Sequence, residues 1–266
     1  DFSEKDILII VGDMIEKGPE SLNTIRYIME LCEKYTVYPM MGNVDLWRIQ
    51  MLLTEDGSLD QELYETNERM RQYWKATFFQ DFCREAGVSV KTPEEIPAAR
   101  EAVVAKFQKE LTFMKELPTI LVTPAFTFVH GGLVHEKLED NFHLPPFQLL
   151  KNDNFINQGK HFDKYVVVGH WPVCLYRSDI ESSAPYISEE QKIIAIDGGC
   201  GIKRDDQLNA LIIPDLYSEK TTWESVDDFP EAVILEDQKA GNTSINIRYY
   251  ESGLKILEPG PVFSLA

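Results

Sequence analysis

Ile7-Leu8-Ile9-Ile10-Val11-Gly12-Asp13-Met14-Ile15-Glu16-Lys17-Gly18-Pro19 sets the terms on which the rest of the chain is read. Five apolar residues, mostly β-branched, run straight into Gly-Asp, then a short loop, then Gly-Pro. So short a run reads as a strand buried on both faces. It delivers the Asp13 carboxylate to the C-terminal edge of a sheet, where open α/β sheets bind ligands. A carboxylate buried there needs a metal or a hydrogen-bond network to offset its desolvation.

Outward from this stretch, Pro19 fits a first helical position, and Ser21 to Lys34 carries Leu22, Ile25, Ile28 and Leu31 at helical spacing. A second strand over Val37 to Met41 ends in Gly42-Asn43-Val44-Asp45. Strand, helix and strand over so few residues make a βαβ unit, so the two strands are expected to be parallel. Residues 46–118 are helical in pattern and predict an insertion that caps the sheet. One helix, interrupted or not, is expected over 59–85, closed by Gly87. Thr92-Pro93-Glu94-Glu95 reads as a capping box opening another that runs toward Glu116. Tyr73, Trp74, Phe78 and Phe79 fall on this insertion; they read as core, with a lid facing substrate as the other option.

Further strands are expected at 119–123, 126–129, 165–168 and 193–196, with 208–213 pairing beside the last as a hairpin. Residues 229–266 hold short apolar runs between Gly turns. They predict a small antiparallel β appendage to a main domain over 1–228.

The 266 residues carry a net charge of −18, which excludes the basic surface that nucleic acid requires. No apolar run approaches the roughly 18 residues of a membrane span, and no signal peptide is visible. Four scattered cysteines, Cys32, Cys83, Cys174 and Cys200, form no CxxC pair and suit a cytoplasmic protein.

Asp13, Asn43, His130 and His170 each follow an apolar strand, and each has a glycine beside it. One at a time these signals are weak: a lone His after a strand is usually a hydrogen-bonded core residue, and a lone Gly-Asp is usually a turn. Four of them at strand ends that converge in one sheet form an oxygen- and nitrogen-rich set. Such a set suits Mn²⁺, Fe or Zn²⁺ better than Ca²⁺ or a thiolate-seeking metal.

These motifs resemble those of the calcineurin-like metallophosphoesterases. Gly12-Asp13-Met14-Ile15-Glu16-Lys17-Gly18-Pro19 is similar to GDxxDRG, and Gly42-Asn43-Val44-Asp45 to GNHD or GNHE. Val129-His130-Gly131-Gly132-Leu133 resembles the HGGL of the serine/threonine phosphoprotein phosphatase branch. Gly169-His170-Trp171-Pro172 resembles the GHTP of bacterial protein phosphatases and diadenosine tetraphosphatases, and Ala195-Ile196-Asp197-Gly198-Gly199-Cys200 the stretch that follows it. The resemblance runs from Asp6 to about Pro214. It implies an α/β fold of the α+β sandwich type, with central β-sheets flanked by helices. It also implies two divalent metals, Mn²⁺ foremost, bridged by Asp13, with Asn43, His130 and His170 completing the second. Lys17 takes the place of an arginine that grips phosphate. Arg177 and Arg204, after the last two motifs, are further candidates for substrate contact. His135, His143 and His161 read as surface or structural residues. Asp197 reads either as a partner of His170 or as a loop cap, and Cys200 as packing.

Three departures qualify what the resemblance implies. No Asp-x-His precedes Gly12, although the family opens with a strand ending in those two ligands. Because the chain starts at Asp1 rather than Met, it is expected to be the later part of something longer. Val44 stands where the family has a histidine that protonates the leaving group, and Glu16 where it has the acid orienting that histidine. The loss should fall on catalysis more than on metal binding. The expected function is a metal-dependent phosphatase acting on phosphomonoesters, phosphoproteins among them. A dinucleoside polyphosphate hydrolase and an inactive phosphatase-fold binding protein are the alternatives.

Overall fold

The computed structural model describes residues 2–74, 76–176, 182–202 and 207–227, together with two short paired strands, Glu258–Pro259 and Ser264–Leu265. The remainder of the expected β appendage, and the candidate contacts Arg177 and Arg204, lie outside the described residues.

The βαβ unit forms as its pattern dictates. β1 (Ile7–Ile10) pairs in parallel with β2 (Thr36–Pro39) through α1 (Ser21–Lys34), which turns Leu22, Ile25 and Ile28 inward. Pro19 lies just before the helix rather than inside it, and Glu20 occupies the N-cap. β1 is not buried on both faces as expected: Ile7 is 49% exposed and Leu8 to Ile10 are half-buried. Among the described residues β1 has one strand neighbour, β2, so only part of its surface is covered.

The insertion is helical throughout, but in more pieces than its pattern suggests. It comprises α2 (Asn43–Leu53), α3 (Asp60–Trp74), α4 (Phe78–Ala86), α5 (Ile96–Lys106) and α6 (Gln108–Lys115). The expected helix over 59–85 breaks because Thr77 caps α4, its hydroxyl accepting from Gln80 N, while Thr77 also donates to the buried Asn67 side chain. Gly87 closes α4 in the left-handed conformation at φ +75°, and the capping box at Thr92 and Glu95 forms as expected. Phe78, Phe82 and Phe107 meet at tilted and edge-to-face angles at the centre of this layer, each fully buried and each worth about 1.5–3 kcal/mol of transfer free energy. Asp81 ties α4 to α1 by accepting from Leu22 N at 2.8 Å.

The second sheet has five strands in the order β3-β4-β5-β7-β6: β3 (Ile120–Val122), β4 (Phe126–Val129), β5 (Tyr165–Val168), β6 (Tyr186–Ser188) and β7 (Ile193–Ala195). β4, β5 and β7 are parallel, and antiparallel β3 and β6 close the two edges. Alternate residues of β5 face opposite layers. Tyr165 and Val167 pack toward Ile9, Val11 and Met40 of the first sheet; Val166 and Val168 pack toward Leu149 and Phe155. That both faces are buried explains why these strands read as unbroken apolar runs.

β8 (Leu208–Ile212) does not pair beside β7. It forms a hairpin with β9 (Thr222–Val226), which had no clear apolar signal because all five of its residues are exposed. Among the described residues no helix is long and apolar enough to cross a membrane.

Candidate metal centre

Four strand ends meet at one edge. Val11, just past β1, offers its carbonyl to His130 Nδ1 at 2.7 Å; Gly169, just past β5, donates its N–H to His130 O at 2.9 Å. The loops carrying Gly12 and Gly42 touch backbone to backbone. A Cβ on Gly42 would lie 2.1 Å from Asp13 N, and one on Gly12 would lie 2.6 Å from His130 Nδ1. Gly12 also sits at φ +89°, so both approaches depend on the missing side chains.

Asp45 builds the corner. Its buried carboxylate accepts from Asp13 N and Gly42 N, both at 2.8 Å, and from Met14 N at 3.0 Å. It is the third residue of α2 and completes a capping box there, so it fixes the helix start and the Asp13 turn together. Burial and the neighbouring Asp13 charge push its acid up to about 7. Sequence reasoning quoted Asp45 within its motif but gave it no role. An acid three residues after an N-cap glycine was the available signal.

Asp13 adopts φ +53° and directs its two oxygens apart. Oδ1 accepts from Val44 N at 2.9 Å, while Oδ2 lies 3.4 Å from His130 Nε2. Asn43 Oδ1 lies 3.1 Å from the same nitrogen. With Nδ1–H donating to Val11, Nε2 carries a lone pair, so three acceptors face one another. A cation or an added proton satisfies that arrangement. Burial opposes a proton on His130, but the Asp13 carboxylate outweighs it and raises the imidazole above its ordinary value. Burial likewise opposes the Asp13 charge, yet His130 and Lys17 hold that carboxylate well below the usual range.

His170 stands beside His130 with ring centroids 5.2 Å apart, in the left-handed region at φ +65°. Asp13, His130 and His170 bring one ligand atom each within 4.8 Å of one another. Burial lowers the His170 imidazole, and the neighbouring His130 adds to that, which leaves it in the neutral form that binds metals. Its Nε2 lies 2.7 Å from Asp153 Oδ1. With Asn43 Oδ1 also on His130, the donor set fits a divalent cation that prefers mixed oxygen and imidazole ligands.

The other sequence candidates divide. Lys17 is half-buried and close enough to bear on the Asp13 charge. Asp197 proves to be a loop cap: its carboxylate accepts from Gly199 N at 2.8 Å. Cys200 is exposed, which does not fit the expected packing role. His135, His143 and His161 are exposed, as expected of surface residues. Phe78 and Phe79 are core, but Tyr73 is 69% exposed and Trp74 donates its indole N–H to Gly201 O at 2.8 Å. Glu16 turned out to have a partner that the sequence did not suggest, the buried Arg48. Asp153 carried no signal, being an exposed turn residue 17 positions from its partner.

Solved structures of similar shape share little sequence. A protein assigned as a diadenosine tetraphosphatase is 17% identical with a TM-score of 0.49, covering 86% of this chain and 84% of its own. A Saccharomyces cerevisiae serine/threonine phosphatase similar to human phosphatase PP5 is 11% identical with a TM-score of 0.46, covering 87% and 74%. The hypothetical protein PH1004 from Pyrococcus horikoshii is 14% identical with a TM-score of 0.41, covering 82% and 74%. No curated protein matches in sequence. The family model described as calcineurin-like phosphoesterase matches residues 1–192, and its span takes in Asp13, Asn43, His130 and His170; the chain belongs to the calcineurin-like phosphoesterases.

Proposed function

We propose that this protein is a metal-dependent phosphatase that hydrolyses phosphomonoesters, with Asp13, Asn43, His130 and His170 holding a divalent ion, Mn²⁺ foremost. The observation that carries this is the meeting of three acceptors, Asp13 Oδ2 and Asn43 Oδ1 both lying within 3.4 Å of His130 Nε2. When bound, such an ion supplies a water of lowered pKa and positive charge for the phosphoryl oxygens. The chain's own residues do the rest. Val44 N–H fixes the Asp13 carboxylate, Asp45 fixes the Asp13 backbone N–H, Val11 O fixes the His130 tautomer, and Lys17 places a cation near the carboxylate for a substrate phosphate to meet. Lysine brings charge without the two-pronged grip of arginine.

At the leaving-group side the chain offers little help. Val44 cannot donate a proton, and the Glu16 carboxylate is committed to Arg48. Phosphates with good leaving groups therefore suit this edge best, aryl phosphates among them. The net charge of −18 argues against nucleic acid as a partner, and the four cysteines, none disulfide-bonded, suit the cytoplasm.

A second reading, hydrolysis of a dinucleoside polyphosphate, gains support from Trp74. Its indole is bonded to Gly201, and a Cβ on Gly201 would touch the Lys17 side chain at 3.3 Å. That brings an aromatic residue of the insertion beside the proposed phosphate contact. The test is hydrolysis of p-nitrophenyl phosphate with added Mn²⁺, with Asp13→Asn as control. Wild type should be faster by orders of magnitude; equal rates overturn the metal mechanism. A phosphopeptide compared with a dinucleoside tetraphosphate then separates the two substrate classes.

A further inference from the structure

We propose that Asp153 is a positioning residue of the metal edge: it accepts the Nε2–H of His170 and so leaves the Nδ1 lone pair of that ring for a metal. The inference rests on the metal reading above and adds a residue to it. At 2.7 Å, a carboxylate oxygen and an imidazole nitrogen must share a proton, so Nε2 is the protonated nitrogen and donates. A neutral ring has one lone pair, and Nδ1 holds it.

Asp153 is able to do this because its loop is fixed. The loop follows α7 (Pro146–Leu150), whose Leu149 carbonyl accepts from both Gly131 N and Gly132 N at 3.0 Å, directly after His130. On its far side Phe155 is fully buried, and its ring lies so close to Gly132 that a Cβ there would be 2.5 Å away. Gln158 Nε2 donates to Asp153 O at 3.0 Å and to Asn152 Oδ1 at 2.7 Å. Lys151 bonds the Asp153 carboxylate and also stands 3.4 Å from His170 Nε2, so the carboxylate's charge is matched. The same stretch that packs behind His130 thus presents the carboxylate that orients His170.

His170 needs such a partner. A non-glycine residue at φ +65° sits in a sparsely populated backbone conformation that its surroundings must hold. The side chain of Asp153 is 47% exposed, so when it is removed water can reach the place it leaves and accept from His170 Nε2. A carboxylate bonded to the far nitrogen of a ligating imidazole is worth tenfold to a hundredfold in metal affinity.

The test uses the full chain and two readouts. In the metal-free protein, long-range nitrogen–proton spectra of the five histidines report the tautomers. His170 should carry its proton on Nε2 in wild type and lose that preference in Asp153→Ala. By calorimetry, Mn²⁺ should bind Asp153→Ala tenfold to a hundredfold more weakly than wild type, with no change in thermal unfolding of the metal-free chain. Asp153→Asn keeps an acceptor and should recover most of the affinity. A wild-type His170 protonated on Nδ1, or an Asp153→Ala chain that binds Mn²⁺ as tightly as wild type, overturns the assignment. A wild type that binds no Mn²⁺ overturns the metal reading itself, and the metal-free tautomer still decides the role of Asp153.

Discussion

Glu16 and Arg48 form a buried ion pair, Arg48 Nε lying 2.5 Å from Glu16 Oε1 with the two side chains 3% and 5% exposed. The other Glu16 oxygen accepts from Phe78 N at 3.3 Å, so one carboxylate joins the Asp13 loop, α2 and α4. Breaking a buried pair leaves a charge without its partner, at about 3–5 kcal/mol. Arg48→Ala should therefore destabilise the chain by about that much in urea unfolding. Glu16→Gln with Arg48→Met should recover most of the loss, because the amide still meets Phe78 and no charge remains. A double variant as unstable as Arg48→Ala would show that the pair itself, not the orphaned charge, sets the cost.

The commitment of Glu16 to Arg48 also bears on chemistry. A protonating group at the leaving atom typically contributes a hundredfold to ten-thousandfold, and Val44 supplies none. Turnover should fall steeply as leaving groups become more basic, so an aryl phosphate should outpace an alkyl phosphate by at least about a hundredfold. Val44→His alone should not restore alkyl phosphate turnover, since Arg48 keeps the acid that would orient the new imidazole. A rate independent of leaving-group pKa, measured across substituted phenyl phosphates and a simple alkyl ester, would count against this account.

Metal uptake should depend on pH through His130. In the metal-free chain Asp13 raises this imidazole above its usual value despite burial, so a proton competes with the metal for Nε2. The sign follows: affinity for Mn²⁺ rises as pH climbs past the raised His130 value and levels off above it. Calorimetry in two buffers of different ionisation enthalpy should count proton release on the acid side of that value and progressively less as pH rises past it. A proton count that does not vary with pH would place the competing proton elsewhere.

The parts of the site that ended apolar runs were legible. His130 and His170 stand out because β4 and β5 are buried on both faces and stop abruptly, and Asp13 because the apolar run of β1, though only half-buried, also stops abruptly at Gly-Asp. The parts that depend on distant loops were not. Asp153 looks like any polar turn residue, and only the Leu149 carbonyl bonded to Gly131 and Gly132 brings its turn to the metal edge. Arg48 looks like a surface residue of a helix until Glu16 folds beneath it. Helix breaks were half legible: Thr77 followed by Gln80 is a start signal, but the apolar spacing runs across it. β9 was invisible because it buries nothing, so no alternation marks it.

Gly42 tests how tightly the two loops must close. A Cβ there would fall 2.1 Å from Asp13 N and 2.2 Å from Asp13 Oδ1, and neither group can yield without losing Asp45 or Val44 as a partner. The first contact is with backbone, so a rotamer change cannot relieve it. Gly42→Ala should therefore move Asp13 and break both sets of bonds, costing at least the 1–3 kcal/mol typical of overpacking. Mn²⁺ affinity should fall with stability. Gly18→Ala is the matched control, since a Cβ on Gly18 meets nothing within 4 Å. It should leave unfolding and Mn²⁺ binding close to wild type. If Gly42→Ala binds Mn²⁺ as well as Gly18→Ala does, the close approach of the two loops is not what sets the position of Asp13.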